Sequence, residues 1–210
     1  MSLKTYQQKR DFQKTPEPAA SEVSENNKLV FVVQRHHASR LHYDFRLALR
    51  GALKSWAVPK GPSLNPDDKR LAVRVEDHPL SYAGFEGDIP EGNYGAGHVD
   101  IWDSGTYQPV DSEGKPISET AFAKELKKGS IKFSLKGKKL KGTFALVNMK
   151  SDEKAWLLIK HYDKYATDEK YDAENYARKS GLIYTQKKLA KKDGAKKASS
   201  GKKKFLKRTT

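Results

Sequence analysis

The residues most able to do chemistry are concentrated in one segment, 34–47, which reads Gln-Arg-His-His-Ala-Ser-Arg-Leu-His-Tyr-Asp-Phe-Arg-Leu. Side chains of an extended strand alternate between two faces, so His42, Asp44 and Arg46 share one face, with His36 just upstream. Two imidazoles and a carboxylate can bind manganese, iron or zinc, and a guanidinium binds phosphate oxygens. The pattern predicts a metal site beside a phosphate clamp, on one edge of a sheet. An isolated His-x-Asp pair is more often an ordinary surface feature, but Arg46 and the upstream histidines favour a site.

A second candidate is His78, in the sequence Glu-Asp-His-Pro that follows a short apolar strand. A histidine held before proline at a strand end is well placed for a site, although alone it would be as consistent with an ordinary turn. Lys60, Arg70 and Arg74 add cations nearby in sequence; taken singly, each is typical of a surface residue. No serine or cysteine stands beside a base in the sequence, which favours direct attack by water over a covalent intermediate.

Two other patterns are excluded as sites. Residues 85–97 are glycine-rich, but no Gly-Lys-Ser/Thr and no helix follow, so the segment is not a phosphate-binding P-loop and is interpreted as a tight structural connection. His42-x-Asp44 with the distal His98 has the composition of the iron-binding triad of oxygenases. Such an enzyme needs a basic residue for its cosubstrate soon after the distal histidine, and none occurs between His98 and Lys115.

The charge of the chain is unevenly distributed. The formal net charge is +15, and residues 186–210 hold eleven Lys or Arg against the single acid Asp193. This composition predicts a disordered tail that can bind polyanions such as nucleic acid in a salt-dependent way. There is no cysteine, so any metal must have nitrogen and oxygen ligands. With no apolar run of membrane-spanning length and no signal region, we expect a soluble cytoplasmic protein without membrane partners.

Short β-type segments separated by glycine and proline turns predict the fold. They lie at 29–33, 41–49, 55–58, 71–75, 99–102, 131–135, 143–148 and 155–161, with a hairpin at 136–139. One helix is expected from Ser118 to Gly129 and a second over 172–179. The fold class is mainly β, a compact closed or nearly closed barrel with a few short flanking helices. We expect an N-terminal arm near the active site (1–28), the barrel (29–165), a helical or irregular extension (166–185) and the lysine-rich tail (186–210).

With these residues identified, the chain resembles the 3′-phosphoesterase module of bacterial DNA ligase D, an end-joining repair enzyme. The resemblance runs from about residue 6 to residue 161. It is carried by the matching segments 9–12, 15–18, 36–47, 54–62, 70–73, 76–80, 85–97 and 102–103.

The resemblance implies a β-barrel enzyme that acts on DNA or DNA/RNA primer-template 3′ ends. It would remove a 3′-terminal ribonucleotide and then the 3′-phosphate, leaving a 3′-hydroxyl. It also implies association with the nucleoid, and an end-joining polymerase, ligase or end-binding proteins as partners in trans. Mn²⁺ is the expected metal, with other divalent transition metals as alternatives. A DNA-end-binding adaptor that does not cleave is the alternative function.

Matching positions give the expected site residues. The metal ligands are His36, His42 and Asp44, and only the resemblance favours His36 over the adjacent His37. The catalytic residues are His78, Arg46, Arg70 and Tyr82. The residues that support substrate and phosphate binding are Gln34, Lys60, Arg10, Asp11 and Glu17. His78 is expected to serve the scissile phosphate as general acid or hydrogen-bond donor, since an ordinary imidazole pKa suits either role.

One position departs from the family pattern. The family commonly has glutamate two residues after the arginine of the metal strand, where this chain has Ala48. Because Ala48 shares a strand face with Asp44 and Arg46, we expect a supporting contact to be missing and the activity to be tuned.

Overall fold

The structure, a computed structural model, describes residues 3–19 and 28–178. The strands are β1 (Val30–His37), β2 (Leu41–Leu49), β3 (Ala52–Val58), β4 (Arg70–Arg74), β5 (His78–Pro79), β6 (Gly87–Ile89), β7 (Gly97–Val110), β8 (Ser130–Gly137), β9 (Lys141–Asn148) and β10 (Ala155–Lys160). The helices are α1 (Leu3–Gln8), α2 (Glu119–Lys128) and two 3-10 helices, Leu80–Gly84 and Ala173–Tyr176.

Within the described ranges, eight strands form a closed antiparallel barrel in the order β1-β2-β3-β4-β10-β9-β8-β7, and β1 closes the ring by pairing with β7. Strand β5 pairs with β3, and β6 pairs with β7. The predicted mainly-β barrel with short helices is therefore confirmed. The predicted tail, residues 186–210, lies outside the described residues. Among the described residues, no helix is long and apolar enough to cross a membrane.

The apolar stripe of β2 lies in the barrel interior, as the alternation predicts. Phe45 is fully buried, opposite Val33 on one side and Trp56 on the other. Its ring centroid is 6.3 Å from that of Phe31 and 5.8 Å from that of Phe133. Burying each such side chain contributes about 1.5–3 kcal/mol, so this stripe is a main part of the core.

The expectation that the polar face of β2 lies on a sheet edge is wrong. Strand β2 is hydrogen-bonded to β1 on one side and β3 on the other, since closure of the barrel leaves it no free edge. The predicted strand at 29–33 also continues to His37, and this extension places His36 directly opposite His42.

The segment N-terminal to the barrel covers the outer face of β2 and β3. Tyr6 of α1 is fully buried in a cluster with Ala48, Leu53 and Tyr82. The hydroxyl of Tyr6 donates to the Pro18 carbonyl at 2.6 Å, which closes the segment on itself. This packing explains why the polar face of β2 is buried although it lies outside the barrel.

The remaining helices and strands form where the sequence predicts them, but their lengths differ from the predicted lengths. Helix α2 begins after Ser118, whose side chain accepts from the Ala121 amide, and ends at Gly129 with φ 91°. The strand expected at 99–102 is longer in the structure and forms all of β7. The first half of β7 pairs with β1 and β6, and the second half pairs with β8. The helix expected at 172–179 is the single 3-10 turn Ala173–Tyr176, and Lys179 lies outside the described residues.

The β8–β9 hairpin depends on a buried carboxylate of the neighbouring strand. Asp103 of β7 accepts hydrogen bonds from the backbone amides of Lys138 at 3.0 Å, Lys139 at 3.2 Å and Leu140 at 2.7 Å. The bond to the Leu140 amide is buried and the other two are partly buried. Leaving a buried donor unpaired costs about 1–3 kcal/mol, and a partly buried donor costs less.

We expect Asp103→Ala to lower the free energy of unfolding by about 2–4 kcal/mol, because it removes the common acceptor of these amides. Urea unfolding followed by tryptophan fluorescence measures the change. The matched control is Asp88→Ala, whose side chain is 73% exposed, and which should cost much less. Equal losses in the two variants would contradict a structural role for Asp103.

Candidate active site

The three residues expected as metal ligands converge on the outer face of β1 and β2. Ligand atoms of His36, His42 and Asp44 all lie within 4.8 Å of one another. His36 Nδ1 is 3.5 Å from Asp44 Oδ2, and His42 Nε2 is 3.8 Å from Asp44 Oδ1. The cross-strand pairing of His36 with His42 creates this geometry, since it brings the two ring centroids to 4.7 Å.

Backbone carbonyls fix which ring nitrogen of each histidine is available as a ligand. His36 Nε2 lies 2.8 Å from the Gly95 carbonyl oxygen, and His42 Nδ1 lies 3.0 Å from that of Arg40. A nitrogen facing a carbonyl must carry the proton and donate it, which leaves the other nitrogen with a free lone pair. The unprotonated nitrogens are therefore His36 Nδ1 and His42 Nε2, the two that face Asp44.

Arg46 connects this group to the rest of the site. Its Nη2 donates to Asp44 Oδ2 at 3.1 Å, and its Nη1 is 3.0 Å from Nδ1 of His78. Burial of Asp44 disfavours its charge, but its pKa is held well below its usual value, and the adjacent Arg46 guanidinium is the largest cause that opposes burial. Asp44 is therefore ionised, as a metal ligand must be.

Gln34 positions Arg46 and does not itself line the cavity. Its side chain is fully buried, and its Oε1 accepts from Arg46 Nε at 2.7 Å. Its Nε2 donates to the carbonyl oxygens of Tyr82 at 3.0 Å and Phe85 at 2.9 Å. Because its donors and its acceptor are all occupied, Gln34 acts on the site through the orientation of the guanidinium.

His78 is buried between two guanidiniums. Its Nδ1 is near Arg46 and is 2.9 Å from the Glu76 carbonyl oxygen, and its Nε2 is 3.4 Å from Arg10 Nη2. Burial, then Arg46 and Arg10, lower the pKa of His78 well below 6.5. The expectation of an ordinary pKa is therefore wrong, because the ring in the free protein is held neutral.

Among the described residues, Ser55 is the one whose hydroxyl lies within hydrogen-bonding distance of His78. Its Oγ is 3.3 Å from His78 Nδ1. Sequence reasoning found no serine beside a base, since Ser55 and His78 are far apart in the chain. The Ser55 side chain is fully buried, however, and its hydroxyl donates to the Leu53 carbonyl at 3.0 Å. A buried hydroxyl already committed as a donor is a poor nucleophile.

The N-terminal segment contributes Arg10 and Glu17 to the same site. Arg10 Nε donates to Glu17 Oε1 at 2.8 Å, and Arg10 Nη1 lies 3.3 Å from Glu76 Oε1. The Tyr82 hydroxyl donates to Glu17 Oε1 at 2.9 Å. Burial raises the pKa of Tyr82 well above 10, and the charges of Glu17 and Asp44 raise it further, so Tyr82 stays a proton donor.

One cavity of about 260 Å³ lies among these residues. Its lining includes seven residues that sequence reasoning did not assign to the site: Ala38, Ala57, Val75, Glu76, Ile89, Tyr94 and Gly95. The glycine-rich segment is thus not only a structural connection, because it supplies the carbonyl that orients His36. Glu76 lies two residues before His78 in an extended stretch, where side chains two residues apart share a face. This spacing could have identified Glu76 as a site residue.

Three expected site residues lie elsewhere. Arg70 donates from Nη2 to Asp68 Oδ2 at 2.8 Å and to the Tyr171 carbonyl at 2.7 Å. Lys60 is exposed on the turn after β3, and Asp11 forms an exposed pair with Lys14. None of the three lines the cavity described above, and their roles in phosphate binding stay predictions.

The structure also shows where His98 and Ala48 lie. His98 lies apart from the metal-ligand group and contacts Asp88 at 2.7 Å and Asp100 at 3.1 Å, so it does not complete a triad with His42 and Asp44. Ala48 is buried under Tyr6 in the cluster that holds the N-terminal segment. This position therefore contributes to packing of that segment, and its effect on activity stays a prediction.

Acid should destabilise the protein through His78. The folded protein disfavours protonation of this ring. As the pH falls below about 6.5, the unfolded chain therefore binds a proton here and the folded protein does not, so the free energy of unfolding decreases. From about pH 7.5 to about pH 5.5 this group should cost about 1.4 kcal/mol of unfolding free energy. Urea unfolding at both pH values should show a smaller loss for His78→Gln than for the wild type; equal losses would contradict a neutral His78.

Comparison with known proteins assigns the family. The family model described as the DNA ligase D 3′-phosphoesterase domain matches residues 34–148. The chain is 50% identical over 165 residues to the multifunctional non-homologous end joining protein LigD of Pseudomonas aeruginosa, covering 77% of this chain and 19% of that protein. It is 44% identical over 163 residues to the protein of the same name from Mycolicibacterium smegmatis, covering 77% of this chain and 21% of that protein.

A third relative is the multifunctional non-homologous end joining DNA repair protein LigD of Mycobacterium tuberculosis. It is 44% identical over 178 residues, covering 83% of this chain and 22% of that protein. The chain spans about a fifth of the length of these relatives. The matched segment includes the candidate metal ligands, Arg46, His78 and Tyr82. The chain belongs to the DNA ligase D 3′-phosphoesterase domain family.

Proposed function

We propose that this chain is a metal-dependent phosphoesterase that heals DNA 3′ ends. It removes a 3′-terminal ribonucleotide by releasing its nucleoside, and then removes the remaining 3′-phosphate to leave a 3′-hydroxyl. The observation that carries the proposal is the convergence of two imidazole lone pairs and an ionised carboxylate beside the Arg46 guanidinium. The family supports action on DNA ends, and the site supports phosphate as the group acted on.

The donor set fits a divalent transition metal. Two neutral imidazoles and one carboxylate are a ligand combination of manganese, iron and zinc, and they leave coordination positions for water and a phosphoryl oxygen. The Gly95 and Arg40 carbonyls supply the outer hydrogen bonds that such histidines generally have. A metal bound here would polarise a phosphoryl oxygen and lower the pKa of a coordinated water. We propose Mn²⁺ as this metal, following the family.

The remaining groups bind and orient the phosphate. Arg46 and Arg10 place positive charge in the cavity, where a phosphate dianion is attracted and where charge growing on phosphoryl oxygens is stabilised. Tyr82 can donate its hydroxyl hydrogen to a phosphate oxygen after leaving Glu17. Bound phosphate would also offset the charge of the two guanidiniums around His78 and so raise its pKa, which allows it to donate a proton to the leaving oxygen. That oxygen is the 5′-oxygen of the released nucleoside in the first step and the 3′-oxygen of the primer in the second.

The test uses a duplex primer-template whose primer ends in one ribonucleotide. Incubation with the protein and Mn²⁺ should shorten the primer and yield 3′-hydroxyl ends, whereas chelator should leave it intact. Resolving the products as 3′-phosphate or 3′-hydroxyl separates the two steps. Tight binding of an uncleaved primer would contradict the proposal and favour a DNA-end-binding adaptor.

Loss of the carboxylate should abolish both metal binding and turnover. We expect Asp44→Asn, which keeps the side-chain shape, to reduce kcat on both substrates by about 1,000-fold or more, since several kcal/mol of charge stabilisation are lost. Titration with Mn²⁺ followed by electron paramagnetic resonance measures binding independently of activity. The control Asp88→Asn changes a carboxylate outside the candidate ligand group and should retain both properties. Near-wild-type turnover in a folded Asp44→Asn protein would contradict the metal assignment.

The basic C-terminal segment should affect DNA affinity more than chemistry. Deletion of residues 186–210 removes a net charge of +10, so fewer phosphate counterions are displaced on binding. We expect weaker DNA binding and a shallower dependence of the dissociation constant on salt, measured by fluorescence anisotropy. Turnover on a saturating short substrate should be unchanged; its loss would show that the segment belongs to the site.

A further inference from the structure

Tyr94 is an exposed aromatic side chain at the rim of the candidate active site. It lines the same cavity as His36, His42 and Asp44, yet 48% of its surface is accessible. The other tyrosine of this lining, Tyr82, is almost fully buried. An aromatic ring that is half exposed at the mouth of a charged cavity can take up a planar ligand group without displacing the protein core.

The ring is held in place by the N-terminal segment. Lys9 Nζ lies 3.2 Å from the Tyr94 hydroxyl and 4.4 Å from the ring centroid. The same ammonium pairs with Glu76 Oε2 at 3.0 Å. These contacts connect Tyr94 to Glu76, which also lines the cavity, so the ring is positioned before substrate arrives and less freedom is lost on binding.

Two kinds of side chain line the cavity. The guanidiniums and the candidate metal ligands suit a phosphate. The apolar side chains of Ala38, Ala57, Val75 and Ile89 suit the carbon surface of a sugar and base. A phosphate bound by the first group would have its attached nucleoside within reach of the second group and of the Tyr94 ring.

The size of the cavity decides which nucleoside this is. About 260 Å³ is slightly below the usual range of about 300–1,000 Å³ for small-molecule pockets, so the cavity holds one small unit and not a duplex. If the duplex upstream of the scissile phosphate stays outside, the unit that enters is the one beyond the scissile phosphate, at the 3′ end.

We propose that Tyr94 stacks on the terminal nucleoside of the substrate, and so determines how well the site accepts an end that carries a nucleotide relative to one that carries only a phosphate. This assignment depends on the proposed function. Stacking on an aromatic ring tolerates any base because each base has a π-face, so it suits an enzyme that must act on ends of every sequence. A 3′-phosphate end has no such nucleoside and makes no use of the ring.

The experiment compares two primers of the same sequence, one ending in a ribonucleotide and one in a 3′-phosphate, in the wild type, Tyr94→Ala and Tyr94→Phe. We expect Tyr94→Ala to raise KM for the ribonucleotide end about tenfold, within the range for loss of one stacked base. Its KM for the 3′-phosphate end should change by less than about twofold. Tyr94→Phe keeps the ring and should retain most of the wild-type KM on both primers. The matched control is Tyr162→Ala, which removes a tyrosine that is 80% exposed and contacts Asp67, not the cavity.

A third primer, ending in an abasic ribose, tests stacking directly. In the wild type its KM should be higher than that of the ribonucleotide end, and Tyr94→Ala should remove this difference. Equal effects of Tyr94→Ala on the ribonucleotide and 3′-phosphate ends, or no effect on either, would overturn the assignment. Wild-type protein inactive on every primer would overturn the proposed function itself, whereas an active wild type with unaffected Tyr94 variants would overturn only the stacking role.

Discussion

The buried guanidinium of Arg46 is the interaction on which the site depends. It contacts the Asp44 carboxylate, the His78 ring and the Gln34 amide oxygen through different nitrogens. The planar, permanently charged guanidinium can satisfy several acceptors at once, which a lysine ammonium at the same position would do with less defined geometry. Its charge lowers the pKa of both neighbours, which favours an ionised Asp44 and adds to the effect of burial in keeping His78 neutral.

Burying this charge requires the segment N-terminal to the barrel. The outer face of β2 would be exposed to water without α1 and the residues that follow it, and Tyr6 and Arg10 cover it. Arg10 and Glu17 have side chains that are 4% and 0% exposed, and loss of one partner of such a pair costs about 3–5 kcal/mol. The segment therefore supplies part of the cavity lining, through Arg10 and Glu17.

The barrel provides the rigid support for these charges. Because β2 is paired on both sides, the positions of Asp44 and Arg46 are fixed by backbone hydrogen bonds to β1 and β3. Sites built on strands hold their geometry more closely than sites built on loops. The glycine-rich loop before β7 supplies what a strand cannot, a carbonyl turned toward His36 and an aromatic ring at the rim.

The sequence by itself determined the barrel class, most strand positions and the grouping of His42 and Asp44, because these follow from local alternation. The choice of His36 over His37 as the third candidate ligand followed from the family resemblance. Only the tertiary structure decided that β2 is an interior strand of the sheet, that Gln34 acts through Arg46, and that the pKa of His78 is lowered. It also placed Glu76 and Tyr94 at the site and Arg70, Lys60 and Asp11 away from the cavity. These outcomes depend on barrel closure and on contacts between residues far apart in the chain, which local patterns do not encode.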